Sequence, residues 1–226
     1  TGAGLSAISG NGHGIFKDIY ADVILVGTSS GNNDGNVGGI IGLVKSGTGT
    51  VTIENCWSNC NIQAAGRRVG GILGSGNSHL ATVSIKHCLN TGTITNTTTG
   101  YRFFGGIVGA TGSAVATEEG STFTMDDCLN TGTITTKAGT TLNAHGGILG
   151  EIGGNATITN TYYLNTCASV DRSHGNGSST VSIGIKSKTA NELKGDNAKS
   201  TTLDFVNYWS PVYGAAPVLT TFADDL

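Results

Sequence analysis

The chain has 226 residues and a net charge of −3, and only 12% of its residues are charged, while glycine occupies 37 positions. This balance gives no electrostatic basis for binding nucleic acid or an anionic membrane. No apolar run approaches the roughly 18 residues of a membrane span, and the low charge argues against ordinary disorder.

The first 37 residues are interpreted as a degenerate first copy of a repeat. Gly14-Ile15 is predicted to be a remnant of the glycine motif described next. Residues 18–27 read as a strand, and residues 27–36, which include Asn32-Asn33-Asp34-Gly35, read as a loop because of their turn-forming residues.

The motif Gly-Gly-Ile-X-Gly then occurs four times, at residues 38–42, 70–74, 105–109 and 146–150. After each copy comes a strand with strict alternation, in which Val, Phe or Ala and then Ile or Met share one face and Thr or Ser the other. Three residues after that Ile or Met stands Cys56, Cys88 or Cys128, and Thr161 takes this place in the fourth unit. The odd offset predicts a bend at Asn55, His87, Asp127 and Asn160.

A second shared stretch follows the cysteine. Leu-Asn-Thr-Gly-Thr-Ile-Thr is identical at residues 89–95 and 129–135. Asn-Thr-Gly predicts a corner in which glycine can adopt a positive φ, and Thr-Ile-Thr predicts another short strand. The next glycine motif is predicted to be the third strand, with its Ile and its Leu or Val facing inward. Each repeat is thus predicted to have three strands and three turns.

Stacking explains how such units become stable, because one unit cannot bury its own apolar face. The predicted fold class is therefore all-β: a right-handed parallel β-helix of about five coils over residues 1–183. Residues 184–226 are predicted to form a small C-terminal α/β cap, with a capping box at Thr189 and Glu192, a helix from Ala190 to about Lys199, and aromatic bulk after it. No comparable cover is visible at the N-terminus, so the first coil is predicted to present an open edge to an upstream domain or to a neighbouring copy of the chain.

The repeat resembles a known family. Gly-Gly-Ile-X-Gly followed by Cys-Leu-Asn-Thr-Gly-Thr-Ile is similar to the GLUG motif of bacterial cell-surface proteins, which also occurs in the non-catalytic part of some IgA-cleaving metalloproteases. The tail, with Glu192-Leu193-Lys194, Trp209 and Pro217-Val218-Leu219, resembles segments that close such arrays in gut-bacterial surface proteins. The resemblance covers about residues 38–219 and implies an extracellular β-solenoid, often suspected of adhesion, with no catalytic residue. The protease zinc motif His-Glu-X-X-His does not occur in this chain.

Several residue types could in principle form catalytic, redox or metal sites. The cysteines are predicted to form a buried apolar ladder rather than a metal or redox site, because zinc thiolate sites need four ligands and pair them closely. Asp126-Asp127 and Glu118-Glu119 are not predicted to act as catalytic acid/base pairs. Neither pair recurs with a basic partner, and adjacent residues on a strand face opposite ways. The five histidines are predicted to be solvated, and residues 32–36 to form a plain turn rather than a calcium loop. No catalytic residue, cofactor or metal is predicted.

Two surfaces remain as candidates for binding. The loops 64–69, 96–104 and 138–144 enter successive glycine motifs and are predicted to cluster, which places a partner-binding patch at Arg67, Arg68, Tyr101, Arg102 and Phe103. Outward threonines are predicted to stack as ladders, a regular lattice like the ice-binding faces of antifreeze β-helices. These ladder positions are Thr50, Thr52, Thr82, Thr122 and Thr124 on one face, and Thr91, Thr93, Thr131 and Thr133 on another.

The function expected from these features is that of a non-enzymatic, adhesin-like module at the cell surface or outside the cell. It would bind a host, matrix or glycan partner through its loops and flat sheet faces. Two alternatives stay open: a structural subunit of an extracellular filament or coat, and an ice-binding protein.

Overall fold

The computed structural model describes residues 4–28, 35–44, 49–76, 81–100, 102–112, 122–139, 144–153, 155–169, 171–177 and 182–225. Within these ranges the chain is built mainly of short strands, numbered here in chain order. All strand pairings but one are parallel. The chain visits four sheets, A to D, in turn and then repeats the circuit, so that each circuit stacks on the last in the manner of a β-solenoid.

Sheets A and B carry the segments that flank the glycine motif. Sheet A contains β1 (Gly4–Ser6), β6 (Asn36–Gly38), β11 (Arg68–Gly70), β16 (Phe103–Gly105) and β21 (His145–Gly146). Sheet B contains β2 (Ser9–Gly12), β7 (Ile41–Val44), β12 (Leu73–Ser75), β17 (Val108–Ala110), β22 (Leu149–Ile152) and β24 (His174–Gly177).

Sheet C is the largest and is bent, so that most circuits cross it with two short strands. Its first arm contains β3 (Gly14–Lys17), β8 (Gly49–Glu54), β13 (Ala81–Lys86), β18 (Thr122–Asp126), β23 (Asn155–Leu164) and β25 (Ser182–Lys188). Its second arm contains β4 (Tyr20–Ala21), β9 (Trp57–Ser58), β14 (Leu89–Asn90), β19 (Leu129–Asn130) and the end of β23.

Sheet D closes each circuit, and a short C-terminal segment follows the last one. Sheet D contains β5 (Ile24–Gly27), β10 (Asn61–Ala64), β15 (Thr93–Asn96) and β20 (Thr133–Thr135). After β25 come helix α1 (Ala190–Leu193), a 3-10 helix (Gly195–Ser200), the antiparallel pair β26 (Trp209–Ser210) and β27 (Val218–Leu219), and a second 3-10 helix (Thr220–Asp225).

The glycine motif forms the corner between sheets A and B, and not the single strand predicted from the sequence. Its first glycine ends a sheet A strand, and its fourth residue begins a sheet B strand. The Ile of the corner is fully buried in all four copies, as the sequence predicted. The corner also stays hydrogen-bonded to the next circuit, since Gly39 N donates to Gly71 O and Ile40 N donates to Ile72 O, both at 3.0 Å.

Crowding explains why three positions of the motif are glycine. A Cβ on the first glycine of each copy would lie 2.0–2.3 Å from a main-chain carbonyl oxygen of sheet B. A Cβ on Gly39, Gly71 or Gly106 would meet the carbonyl oxygen of the next copy's second glycine at 2.1–2.2 Å. None of the motif glycines has a positive φ, so glycine is required here for close approach of the backbone.

The predicted bends are confirmed. Asn55, His87, Asp127 and Asn160 have φ values between 44° and 54°, in the left-handed region, and Asp18 is their equivalent in the first circuit with φ 55°. Asn and Asp tolerate this region better than other non-glycine residues. The Asn-Thr-Gly corners are present between sheets C and D, but the positive φ predicted for their glycines is wrong. Gly92 and Gly132 lie outside the positive-φ region, and a Cβ there would meet the carbonyl oxygens of Cys60 and Gly92 at 2.2 Å.

The first circuit aligns differently from the sequence prediction. Ser9 pairs with Ile41, and Ala7 N donates to Gly39 O at 3.2 Å, so residues 6–10 are the counterpart of the glycine motif. Gly14 pairs with Val51 in sheet C, so Gly14-Ile15 is not a remnant of the motif. The motif was unrecognisable there because only Gly10 of its three glycines is kept.

The C-terminal segment lies along the side of the solenoid. Residues 189–225, called the strap below, cover a row of second-arm residues that stack in register across sheet C: Tyr20, Trp57, Leu89, Leu129 and Tyr162. Four members of this row, Trp57, Leu89, Leu129 and Tyr162, form a second apolar core with the strap, whereas Tyr20 stays 46% exposed. The strap contributes Leu193, Leu203, Trp209, Val218, Leu219 and Phe222.

The strap therefore differs from the end cap that the sequence predicted. Its contacts reach from Tyr20 in the first circuit, whose ring lies 6.1 Å from that of Phe222, to Tyr162 in the fifth. Ile183, in the last strand of sheet C, stays 39% exposed. The solenoid itself continues to Lys188, beyond the predicted boundary at residue 183. The capping box is present, but α1 ends at Leu193 and a 3-10 helix replaces the rest of the predicted helix.

Candidate binding surfaces

The cysteine ladder lies inside the solenoid. Cys56, Cys88 and Cys128 are fully buried, and each thiol donates to the carbonyl oxygen two residues before it, at 3.1–3.2 Å. Thr161 is equally buried, and its hydroxyl makes the same contact, with Thr159 O at 2.7 Å. Threonine thus replaces cysteine because both fill the site and satisfy the same acceptor.

These thiols are poorly suited to chemistry. All five cysteines are free and buried. A hydrogen bond with Cys88, and burial, raise the pKa of Cys56, while burial raises the pKa of Cys88 and takes that of Cys167 to about 12. A thiol is nucleophilic and binds metal only as the thiolate, which these environments disfavour.

The outer face of the first arm of sheet C presents the predicted threonine ladder. We call this surface the ladder face. Its side chains are half-buried or exposed, and they stack in register in three rows. The rows are Thr50, Thr82, Thr122 and Asn155; Thr52, Ser84, Thr124 and Thr157; and Glu54, Lys86, Asp126 and Thr159.

The third row alternates in charge and was missed in the sequence. Lys17, in the first circuit, continues it, so the order is Lys17, Glu54, Lys86, Asp126. The Lys17 ammonium lies 3.1 Å from the Glu54 carboxylate. Each of these four residues directly precedes a bend residue. This shared position would have allowed the row to be recognised from the sequence.

The strap borders the ladder face and is anchored on the bend residues. The buried Asp127 carboxylate accepts hydrogen bonds from the Trp209 indole N–H at 2.8 Å and from Asp204 N at 3.0 Å. The same carboxylate lies 2.7 Å from His87 Nδ1, and the His87 ring stacks on Tyr208 with centroids 3.5 Å apart.

Two further bend residues complete this anchoring. Asn55 Nδ2 donates to Thr221 Oγ1 at 2.7 Å, and Thr202 Oγ1 donates to Asn160 Oδ1 at 2.6 Å. The bend residues therefore hold the strap in place. Their left-handed backbone takes their side chains out of the in-and-out alternation of the preceding strand.

The second predicted threonine ladder is only partly a flat face. Thr93 and Thr133 are exposed and paired in sheet D. Thr91 and Thr131 are half-buried and precede the strands of sheet D. The Thr91 hydroxyl accepts from the Trp57 indole N–H at 2.7 Å and donates to Asn59 Oδ1 at 2.9 Å. Its contacts are thus with the corner beside it.

The predicted loop patch is largely not a surface. Arg68 and Phe103 are buried, at 7% and 1% exposure. The Arg68 guanidinium lies 3.7 Å from the Glu151 carboxylate, and burial, with the neighbouring Arg67, lowers its pKa. Arg67 and Arg102 are half-buried, with the Arg67 guanidinium 5.6 Å from the Phe103 ring centre. Tyr101 lies outside the described residues. The prediction failed for Arg68 and Phe103 because both begin strands of sheet A.

The predicted environments of the histidines and paired carboxylates are only partly found. His87 and His145 are not solvated: the His87 side chain is 14% exposed, and His145 is 1% exposed. Asp126 accepts hydrogen bonds from Thr159 and Asn160, whereas its neighbour Asp127 is turned to the strap. His79, Glu118, Glu119 and residues 32–34 lie outside the described residues.

In the described part of the chain, no three His, Cys, Asp or Glu side chains lie together as a group that could hold a metal ion. In the same ranges, no helix has the length and apolar character needed to cross a bilayer.

Comparison with known proteins gives one similarity of fold. No family model matches the chain, and no curated protein matches it. Among solved structures, the chain is similar to a crystal structure from Bacteroides ovatus described as a "putative immunoglobulin A1 protease", with 21% sequence identity and a TM-score of 0.60. The match covers 97% of this chain and 62% of that one, so this chain spans less than two thirds of that protein's length. At this identity the similarity shows a shared fold and nothing about activity.

Proposed function

We propose that this chain is a non-enzymatic binding module of the cell surface or the extracellular space, related to the GLUG-motif repeat proteins. We also propose that its fold is, more specifically, a right-handed parallel β-helix of about five coils. The module would bind a host, matrix or glycan partner. The observation that carries this proposal is the ladder face, a regular and accessible array of polar side chains on a rigid frame.

The chemistry of the ladder face favours a polar, extended partner. Its hydroxyl groups can both donate and accept hydrogen bonds, and the residues within each row repeat at the parallel-strand spacing of about 4.8 Å. The alternating charges of the third row add donors and acceptors of opposite sign with little net charge. A glycan chain, or an extended peptide of mixed charge, would present matching groups at short intervals.

Binding to the ladder face is tested on glycan and matrix-protein arrays with two matched variants. Thr124→Arg places a bulky charge in the middle row of the ladder face, whereas Thr133→Arg makes the same change at an exposed strand position of sheet D. We expect Thr124→Arg to lower binding at least about tenfold and Thr133→Arg to leave it unchanged. Equal binding by both variants and the unmodified chain would contradict the assignment to the ladder face.

The loops are the other place where a partner could bind. Replacing Tyr101 and Arg102 together with alanine tests them on the same arrays. Loss of binding in this double variant, with full binding by Thr124→Arg, would move the binding surface from the ladder face to the loops. Cleavage of any arrayed protein, or of immunoglobulin A1 in solution, would contradict the non-enzymatic assignment.

Ice binding is the second candidate, and the two threonine-rich rows of the ladder face favour it. Neighbouring rows lie ~6.7 Å apart along the strand, and the residues within a row lie ~4.8 Å apart between circuits, a lattice that can order water. Faceted ice growth in the presence of the chain, abolished by Thr124→Arg, would support this function. Unmodified disc-shaped ice growth would exclude it.

A further inference from the structure

We propose that a polar pocket at the last circuit of sheet C binds an acidic sugar, that is, a single sugar unit that carries a carboxylate. This inference rests on the proposed function, because it names one class of glycan that the module would bind. The pocket has a volume of ≈ 170 Å³ and lies where β23, β25 and the strap meet. Its lining consists of Thr159, Asn160, Tyr162, Gly184, Lys186 and Thr202.

The pocket exists because the last circuit lacks two side chains. The register of β23 and β25 shifts between Ile158 and Thr161, so that Gly184 alone lies opposite both Thr159 and Asn160. In the earlier circuits a third-row residue and a bend residue stand at this place. Gly184 supplies neither side chain, and its φ is not positive. The space beside it therefore stays open between the strap and the last strand.

The hydroxyl groups of the pocket present lone pairs rather than hydrogens to a ligand. Thr159 donates its hydroxyl hydrogen to Asp126. Thr202 donates to Asn160 Oδ1 at 2.6 Å, so the Tyr162 hydroxyl is the donor in its 2.8 Å contact with Thr202 Oγ1. The Thr202 amide in turn donates to the Tyr162 hydroxyl at 2.9 Å. Each of the three hydroxyl oxygens keeps a lone pair, so this part of the pocket accepts hydrogen bonds from a ligand.

Strand β25 adds a positive charge to the pocket. Lys186 pairs with Tyr162 in the register of sheet C and is exposed. Within the described ranges no carboxylate forms an ion pair with Lys186, whereas Lys188, two residues further on, binds Glu192 at 3.0 Å. An ammonium group has three N–H donors and no acceptor. Lys186 is therefore available to pair with an anionic group of a ligand.

The charges around the pocket orient such a ligand. The Asp126 carboxylate is hydrogen-bonded to Thr159 and Asn160 and repels an anion on that side, so the anionic group of the ligand points to Lys186. Its hydrogen-bond donors then face the lone pairs of the hydroxyl oxygens. A sugar acid combines one carboxylate with several hydroxyl donors on a small ring, which is the pattern that this pocket requires.

The size and place of the pocket fit one sugar unit of a longer glycan. Sites for drug-sized ligands have volumes of about 300–1,000 Å³, so a pocket of ≈ 170 Å³ holds a smaller group. Thr159 belongs both to this pocket and to the third row of the ladder face. A glycan that lies on the ladder face can therefore place an acidic unit in the pocket.

NMR titration of the isotope-labelled chain with small probes tests this proposal. The methyl glycosides of glucuronic acid and galacturonic acid carry both the carboxylate and the hydroxyl groups. Methyl glucoside carries the hydroxyl groups alone, and acetate carries the carboxylate alone. We expect at least one acidic sugar to shift the amide signals of Asn160, Gly184, Lys186 and Thr202. It should bind at least about tenfold more tightly than methyl glucoside or acetate.

Two matched variants assign the binding to the pocket. Lys186→Met removes the ammonium group at nearly constant length and should weaken binding of the acidic sugar at least about tenfold. Lys194→Met makes the same change at an exposed position of the strap and should leave binding unchanged. The absence of shifts at the pocket with both acidic sugars at about 20 mM overturns the proposal. So does equal binding of acetate or methyl glucoside, or full binding by Lys186→Met.

The probes separate this site from the proposed function, because a single sugar unit is too small to span the ladder face. Glycan binding on the arrays that depends on Thr124, without shifts at the pocket, would overturn the acidic-sugar site and leave the ladder face in place. Shifts at the pocket that require Lys186, with full array binding by Thr124→Arg, would support the site and overturn the assignment to the ladder face.

Discussion

The second glycine of the corner motif allows a sharp test of why the repeat requires glycine. In Gly106→Ala the new Cβ would lie 2.1 Å from the Asn130 side-chain nitrogen and 2.2 Å from Gly147 O. Ordinary contacts of a Cβ begin near 3.4 Å. The variant must therefore move the neighbouring backbone or the buried Asn130 by more than about 1 Å, in a region packed at interior density.

The cost follows from the contacts at risk. Asn130 Nδ2 donates to Gly147 O at 2.8 Å, and Asn90 Nδ2 donates to Asn130 Oδ1 at 2.8 Å, both buried. Overpacking alone costs about 1–3 kcal/mol, and a buried donor that loses its acceptor costs about 1–3 kcal/mol more. We expect Gly106→Ala to lower the free energy of unfolding by about 3–5 kcal/mol.

Urea unfolding followed by circular dichroism measures this loss, with Gly112→Ala as the control. The nearest atom to a Cβ at Gly112 lies 3.6 Å away, and its φ is not positive. The control should therefore be neutral or slightly more stable, by about 0.5 kcal/mol. An unfolding midpoint for Gly106→Ala equal to that of the unmodified chain would refute the crowding argument.

Three further predictions concern the strap and the interior. Asp127→Ala should cost about 3 kcal/mol of unfolding free energy, because the buried Trp209 indole loses its acceptor, whereas the exposed Asp196→Ala should cost little in the same urea measurement. Hydrogen bonds from Thr189 hold the pKa of Glu192 at about 2, below its usual 4.5. The stability that the capping box adds should therefore be complete above about pH 4.5 and lost as the pH falls through about 2, which NMR of the Thr189 amide follows. The five thiols should resist a thiol reagent in the folded chain and all react in urea, because they are buried.

Each of these predictions has a contrary outcome. Equal losses in Asp127→Ala and Asp196→Ala would show that the strap does not depend on the buried carboxylate. A Thr189 amide signal that changes near pH 4.5 would contradict the lowered pKa of Glu192. Rapid reaction of any cysteine in the folded chain would mean that the ladder opens locally.

The sequence was informative where one repeated position has one physical requirement. The bends could be predicted because the alternation of the preceding strand fails at the same offset in four units, and only a change of backbone direction restores it. The buried cysteines could be predicted because their spacing places them on the core side. Thr161 stands at the equivalent position in the fourth unit, which further indicates that packing, and not thiol chemistry, determines the residue type in this row.

The tertiary structure decided what lies against each outward row. Arg68 and Phe103 looked like surface residues because they follow loops, yet pairing in sheet A buries them. The strap looked like an end cap because solenoids need one, yet it follows the row from Tyr20 to Tyr162, which is apolar and in register along the whole stack. Both outcomes depend on contacts between residues that are far apart in the chain, and the local pattern of any one segment carries no record of them. The sequence by itself therefore determined the repeat, its inward rows and its bends, because stacking imposes the same local requirement in every unit. Only the tertiary structure decided the placement of the strap, because the strap depends on contacts that no repeat unit makes by itself.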